Sequence, residues 1–96
     1  MNRQEHLLII LAEECAEVQQ AVTKALRFGL DDFYKVLPTN RQKISEELGD
    51  LFGVYQMLIS EGVLKSHTEA AVLQKKEKIE KFLLYSESKG TLIKEK

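Results

Sequence analysis

Two short acidic stretches carry the chemistry that this sequence offers: AEECAEV at residues 12–18 and SEELGDL at residues 45–51. Each lies inside a run with the apolar spacing of a helix. At about 100° per residue, the apolar face of the first run is Leu7, Leu8, Leu11, Cys15, Val18, Ala21, Val22 and Ala25. Glu14 falls within that face, and Glu17 lies at its edge, about 60° away. In the second run the face is Ile44, Leu48, Leu51, Val54, Tyr55 and Leu58. Glu47 falls within it, and Asp50 lies at the edge by the same rotation. The two stretches superimpose, Glu13 on Glu46, Glu14 on Glu47, Glu17 on Asp50 and Val18 on Leu51.

Carboxylates placed this way are costly. Like charges one helical turn apart repel, and partial burial without a partner disfavours the charged form. Lys43, one turn before Glu47, offsets part of that cost, while nothing near in sequence serves Glu14 equally well. Four carboxylates facing inward from two packed helices are best explained by a shared cation. Hard oxygen ligands without His or Cys suit magnesium or manganese, not zinc. The plainer alternative is that they are solvated glutamates on a helix whose buried face lies elsewhere. The matched rotation of the two pairs weighs against it. A di-iron site needs a Glu-x-x-His on each of two helices, and neither His6 nor His67 stands three residues after a glutamate.

The elements that must position these acids are helices. The sequence has one proline, Pro38, five glycines and no convincing alternating run. A first helix is predicted from about Arg3 to Arg27, stopped by Gly29 as a C-terminal cap. Residues 30–38, LDDFYKVLP, form a connector with room for one short helical turn. Thr39 with Gln42 reads as a capping box opening a helix from about Asn40 to Ser60, ended near Gly62. Ser66 with Glu69 reads as a second box, opening a helix to about Ser88, and the tail from Lys89 is polar and expected to fray. The fold class is therefore all-α, a helical bundle of three long helices plus a possible short one, with short loops between antiparallel neighbours.

Composition narrows the function classes. A chain of 96 residues is a single domain over 1–96, small enough that oligomerisation is expected to complete it. Apolar residues at 44% and charged residues at 30% describe a globular chain. A net charge of −1 argues against a nucleic-acid binder that works by bulk electrostatics. One cysteine cannot form an internal disulfide, which suits the reducing cytoplasm. The run LLIILA at 7–12 is too short to span a membrane and continues into EECAE, so it is not read as a targeting signal.

These residues resemble a known family. Glu13-Glu14-Cys15-Ala16-Glu17, followed by Glu47-Leu48-Gly49-Asp50, looks like the paired EExxE and ExxD signature of the all-α nucleoside triphosphate pyrophosphohydrolases, the MazG-like superfamily. The run LAEECAEVQQAVTKALRFGL at 11–30 is especially similar to its small single-domain members. The resemblance covers residues 7–60 well and 69–86 loosely. It implies a helical bundle working as a homodimer or homotetramer. It also implies magnesium-dependent cleavage of nucleoside triphosphates between the α and β phosphates, with release of monophosphate and pyrophosphate. Carried over, Glu14, Glu17, Glu47 and Asp50 are metal ligands. Glu13 joins Glu14 as a catalytic acid, either as a further ligand or as the group orienting the attacking water. The stretch between Glu17 and Glu47 is at the long end for the pattern.

Lys24, two turns after Glu17, and Arg27, one turn further, are candidate substrate phosphate contacts, against the alternative of a solvated basic helix end. Lys75 and Lys78 enter through the resemblance as phosphate-binding residues of the last helix, against the alternative of a solvated face. Phe28, Phe33 and Tyr34 offer rings to a base, although packing explains them more simply. Cys15 reads as a small buried residue, and Phe52, Leu58, Ile79, Phe82 and Leu83 as core or subunit interface. The competing function is a non-catalytic helical module that oligomerises or binds a partner. Deoxyuridine triphosphate and phosphoribosyl-ATP are alternative substrates within the family.

Overall fold

The computed structural model describes residues 1–93. It contains three helices, α1 (Arg3–Phe28), α2 (Asn40–Ser60) and α3 (Glu69–Ser88), and no strand among the described residues. The all-α expectation holds, and a helical bundle fits it. The connector between α1 and α2 consists of turns and bends without a short helix. Among the described residues no helix is long and apolar enough to cross a membrane. The chain divides into two compact units, Met1–Lys65 and a second beginning at Ser66.

Local chemistry sets the ends of α1 and α2. The Asn2 side chain accepts the Glu5 N–H at 2.8 Å and caps the start of α1. Gly29 closes α1 with φ 104°, a value side-chain-bearing residues rarely adopt, and its N–H reaches the Ala25 carbonyl at 2.8 Å. At α2 the predicted capping box is present. Thr39 Oγ1 accepts from Gln42 N at 3.2 Å, and Gln42 Oε1 accepts from Thr39 N at 2.9 Å.

The two helices run antiparallel, because the start of each meets the end of the other. Arg3 forks onto Glu61 at 2.9 and 3.0 Å, while Asn40 Nδ2 donates to the Gly29 carbonyl at 2.9 Å. Between them lies a seam of residues three and four apart. From α1 it takes Leu7, Leu11, Glu14, Val18, Ala21 and Ala25, and from α2 Ile44, Glu47, Leu51, Val54 and Leu58. Leu58 is fully buried and packs with Leu7 and Val54, while Leu11, Val63 and Leu64 cover the cluster. A positive φ of 77° at Gly62 folds the chain back, so that the N–H groups of Val63 and Leu64 both reach the Leu58 carbonyl.

This seam is narrower than the face predicted from sequence. Leu8, Cys15, Val22 and Leu48 were expected on the buried face and are exposed, and Phe52 is 52% exposed. Two helices cover only one stripe of each other, and a wider apolar arc needs a further element. The uncovered flank forms an open apolar groove of about 660 Å³ lined by Leu11, Cys15, Leu48, Leu51, Phe52 and Tyr55.

In the second unit the cap of α3 lies two residues later than predicted. Its cap is Thr68, whose side chain accepts from Ala71 N at 3.0 Å. Ser66 instead donates weakly to the His67 carbonyl at 3.4 Å. With Thr68 as cap, Glu69 becomes the first helical residue, where its charge meets the positive helix end. No residue of α3 is buried, so Ile79, Phe82 and Leu83 are not core. Beyond Lys89, Thr91 donates to the Ser86 carbonyl through both N (3.0 Å) and Oγ1 (3.2 Å), and the last part of the tail expected to fray, 94–96, lies outside the described residues.

Candidate functional site

Glu14 and Glu47 occupy seam positions where every other residue is apolar. Glu47 is buried at 6% exposure, and Glu14 is half-buried. Asp50 follows Glu47 by one turn on the exposed rim. Carboxylate oxygens of Glu14, Glu47 and Asp50 lie within 4.8 Å of one another. Two of these acids are incompletely satisfied, since Glu14 Oε2 and Glu47 Oε2 are shielded from solvent with no hydrogen-bond partner. An orphaned buried carboxylate oxygen is costly.

Glu17 stands one turn after Glu14 and is exposed. Its carboxyl is pushed above the usual range, chiefly by hydrogen bonding to the Glu47 carboxylate and then by the charges of Glu14 and Glu47. Glu47 moves the other way. Lys43 Nζ sits 2.9 Å from Glu47 Oε1, and that ammonium, with the hydrogen bond from Glu17, holds the Glu47 carboxyl below its ordinary value. Within this pair the ionised form is favoured at Glu47 and the protonated form at Glu17. The donor set fits a hard divalent cation: all ligands are oxygen, no His or Cys intrudes, and the two orphaned oxygens lack the partner an ion would provide.

Beside the acids lies a cavity of about 330 Å³ lined by Glu17, Gln20, Ala21, Lys24, Lys43 and Glu47. Lys24 makes no ion pair among the described residues. Other predicted residues lie elsewhere. Glu13 is exposed and outside the cluster, as is its counterpart Glu46. Arg27 places its guanidinium 4.9 Å from the Phe28 ring centre and does not line this cavity. Lys75 and Lys78 are exposed on α3, with the Lys78 ammonium 5.9 Å from the Phe82 ring centre.

Lys43 and Gln20 were not among the sequence candidates for substrate contact. The spacing of Lys43 to Glu47 was legible as a charge pair, but its place in the same cavity as Lys24 depends on the register between two helices, which one sequence does not specify.

Residues 2–81 match the family model of the MazG nucleotide pyrophosphohydrolase domain, and the chain belongs to that family. No curated protein and no solved structure matches the chain.

Proposed function

We propose that this protein is a magnesium-dependent nucleoside triphosphate pyrophosphohydrolase that converts NTP or dNTP to the monophosphate and pyrophosphate, in nucleotide-pool control or house-cleaning. The observation that carries this is the convergence of Glu14, Glu47 and Asp50 within 4.8 Å, with two buried oxygens left unpartnered. Membership of the family supports the reaction class.

Glu14, Glu17, Glu47 and Asp50 would hold Mg²⁺, with Mn²⁺ as a substitute. The ion supplies neutralisation of phosphate charge and a bound water of lowered pKa. Glu13, next to Glu14 and exposed, is the candidate to orient the attacking water. Lys24, on the wall of the cavity shared with Glu17 and Glu47, contributes a point charge to a phosphate. Lys43 keeps Glu47 ionised. Arg27, Lys75 and Lys78 are secondary candidates for phosphate contact. Attack of water breaks the α–β anhydride, the hydroxyl oxygen stays on the monophosphate, and pyrophosphate leaves.

Residues 1–96 act as one domain of this family in our proposal, since the match runs across both compact units. The protein is cytoplasmic and works as a homodimer or homotetramer. The apolar groove beside the seam supports association, because soluble monomers rarely leave a contiguous apolar patch uncovered.

The test is a panel of ribo- and deoxynucleoside triphosphates incubated with Mg²⁺ or with EDTA. Equimolar monophosphate and pyrophosphate appear only with metal. Release of diphosphate and orthophosphate would contradict the proposed cleavage site. Absence of turnover together with no Mg²⁺-dependent shift in melting temperature would return the chain to a non-catalytic helical module.

A further inference from the structure

A second cavity, of about 270 Å³, adjoins the first through the shared residue Lys24. Its other lining residues are Phe28, Asp32, Tyr34 and Asn40. We propose that this cavity is the nucleoside subsite, so that the protein recognises the aromatic base of a nucleotide and is not a general polyphosphate binder. The proposal rests on the function argued above and assigns the part of the substrate which the acidic cluster cannot read.

Chemistry separates the two cavities. The first has carboxylates for a metal and two lysines, which suits the phosphate end. The second has two aromatic rings, an amide and one carboxylate. Asp32 would repel a phosphate, whereas it accepts hydrogen bonds from a base N–H or a sugar hydroxyl. Lys24 lines both.

Spacing along α1 orders the ligand in the same direction. At a rise of about 1.5 Å per residue, Lys24 lies about 10 Å beyond Glu17 and Phe28 about 16 Å beyond it. An extended nucleoside triphosphate covers that kind of span, with its phosphates at Glu17 and its base at Phe28. The rings are also exposed beyond what packing would explain, at 57% for Phe28 and 82% for Tyr34. One face of each already carries a cation, Arg27 at 4.9 Å and Lys35 at 5.1 Å from the ring centres. At most one face of each ring is left to stack on a base.

The wall of this cavity is held in place before any ligand arrives. Arg41 Nε and Nη2 donate to Asp31 at 3.0 and 3.4 Å. Asn40 N donates to the Asp32 carbonyl at 2.9 Å, Arg41 N to the Leu30 carbonyl at 2.7 Å, and Asn40 Nδ2 to the Gly29 carbonyl at 2.9 Å. The connector is thereby pinned to the first turn of α2, and Asp32 and Asn40 are set against the end of α1. A preformed wall reduces the ordering cost of binding.

The experiment compares, by calorimetry on the full chain with Mg²⁺, inorganic tripolyphosphate and α,β-imido nucleoside triphosphates in ribo and deoxy forms. The expected result is that the wild-type protein binds the best nucleotide at least about ten-fold more tightly than tripolyphosphate, as one stacked base allows. Phe28→Ala and Tyr34→Ala should erase that difference while leaving tripolyphosphate affinity within about two-fold, which also shows that the variants fold. Asp32→Asn should change the ribo-to-deoxy ratio if its acceptor serves the sugar, or the ranking of the bases if it serves the base. No change in either removes Asp32 from the subsite. Equal wild-type affinity for tripolyphosphate and every nucleotide overturns the subsite and leaves the metal-and-phosphate site standing. Nucleotide binding that depends on Tyr34 but not on Mg²⁺, with no tripolyphosphate binding, overturns the proposed function and keeps the subsite.

Discussion

Glu14 concentrates the conflict between stability and the proposed metal site. It holds a seam position next to Glu47 and Asp50, with one oxygen buried and unpartnered. Replacing it with an apolar residue of similar size removes the orphan. Glu14→Leu is expected to raise the melting temperature of the metal-free protein and to abolish the Mg²⁺-dependent rise, as differential scanning calorimetry would show. Glu47→Gln is expected to lower turnover on the order of a thousand-fold, the scale of several kcal/mol of lost charge stabilisation, while circular dichroism shows the helices intact. Glu17 gives the site a pH dependence of defined sign. Its folded carboxyl is raised above the ordinary value by Glu47 and Glu14. Its contribution to stability is therefore fully present below the ordinary pKa and is lost as pH rises through the raised one. Glu47, Asp31 and Glu61 are lowered by Lys43, Arg41 and Arg3, so their contributions are lost as pH falls through the lowered values. If Glu17 joins the proposed ligand set, a bound cation competes with its proton. The Mg²⁺-induced rise in melting temperature should accordingly be larger at neutral pH than in the acidic range where Glu17 stays protonated, and an equal shift at both would remove Glu17 from the ligand set.

At the scale of elements, capping chemistry and periodicity made α1 and α2 legible. Gly29 and the Thr39–Gln42 box are local signals, and they end or start the helices where the sequence places them. At α3 two local signals competed. Ser66 precedes Glu69 by three, but Thr68 is nearer the apolar run and takes the cap. Thr68→Ala should destabilise α3 by about 1 kcal/mol and Ser66→Ala by much less, measured by urea denaturation. Width of the buried face was not legible, because period alone fixes the direction of a stripe and not how many neighbours will cover it. Hence Leu8, Val22 and Cys15 lie outside the seam although they share its period. Leu58, at the seam's best-packed point, should cost about 2–5 kcal/mol when changed to Ala.

For the whole molecule, the two acidic motifs depend on one antiparallel pairing. The Arg3–Glu61 fork at one end and the Asn40–Gly29 contact at the other join the ends of the two helices, between which Glu14 and Glu47 meet. The motifs themselves were visible in the sequence, as was their common rotation. Their convergence and the cavity shared with Lys24 and Lys43 come from the register between helices, a long-range property. The open groove of Leu48, Phe52 and Tyr55 belongs to this scale too. Under the proposed oligomer, Phe52→Glu should shift the sedimentation profile toward monomer, and an unchanged profile would place the interface elsewhere. The most direct measurement is an anomalous difference map from crystals soaked in Mn²⁺. The proposed site predicts a peak coordinated by carboxylate oxygens of Glu14, Glu47 and Asp50. Featureless density among those three side chains at saturating Mn²⁺ would contradict it.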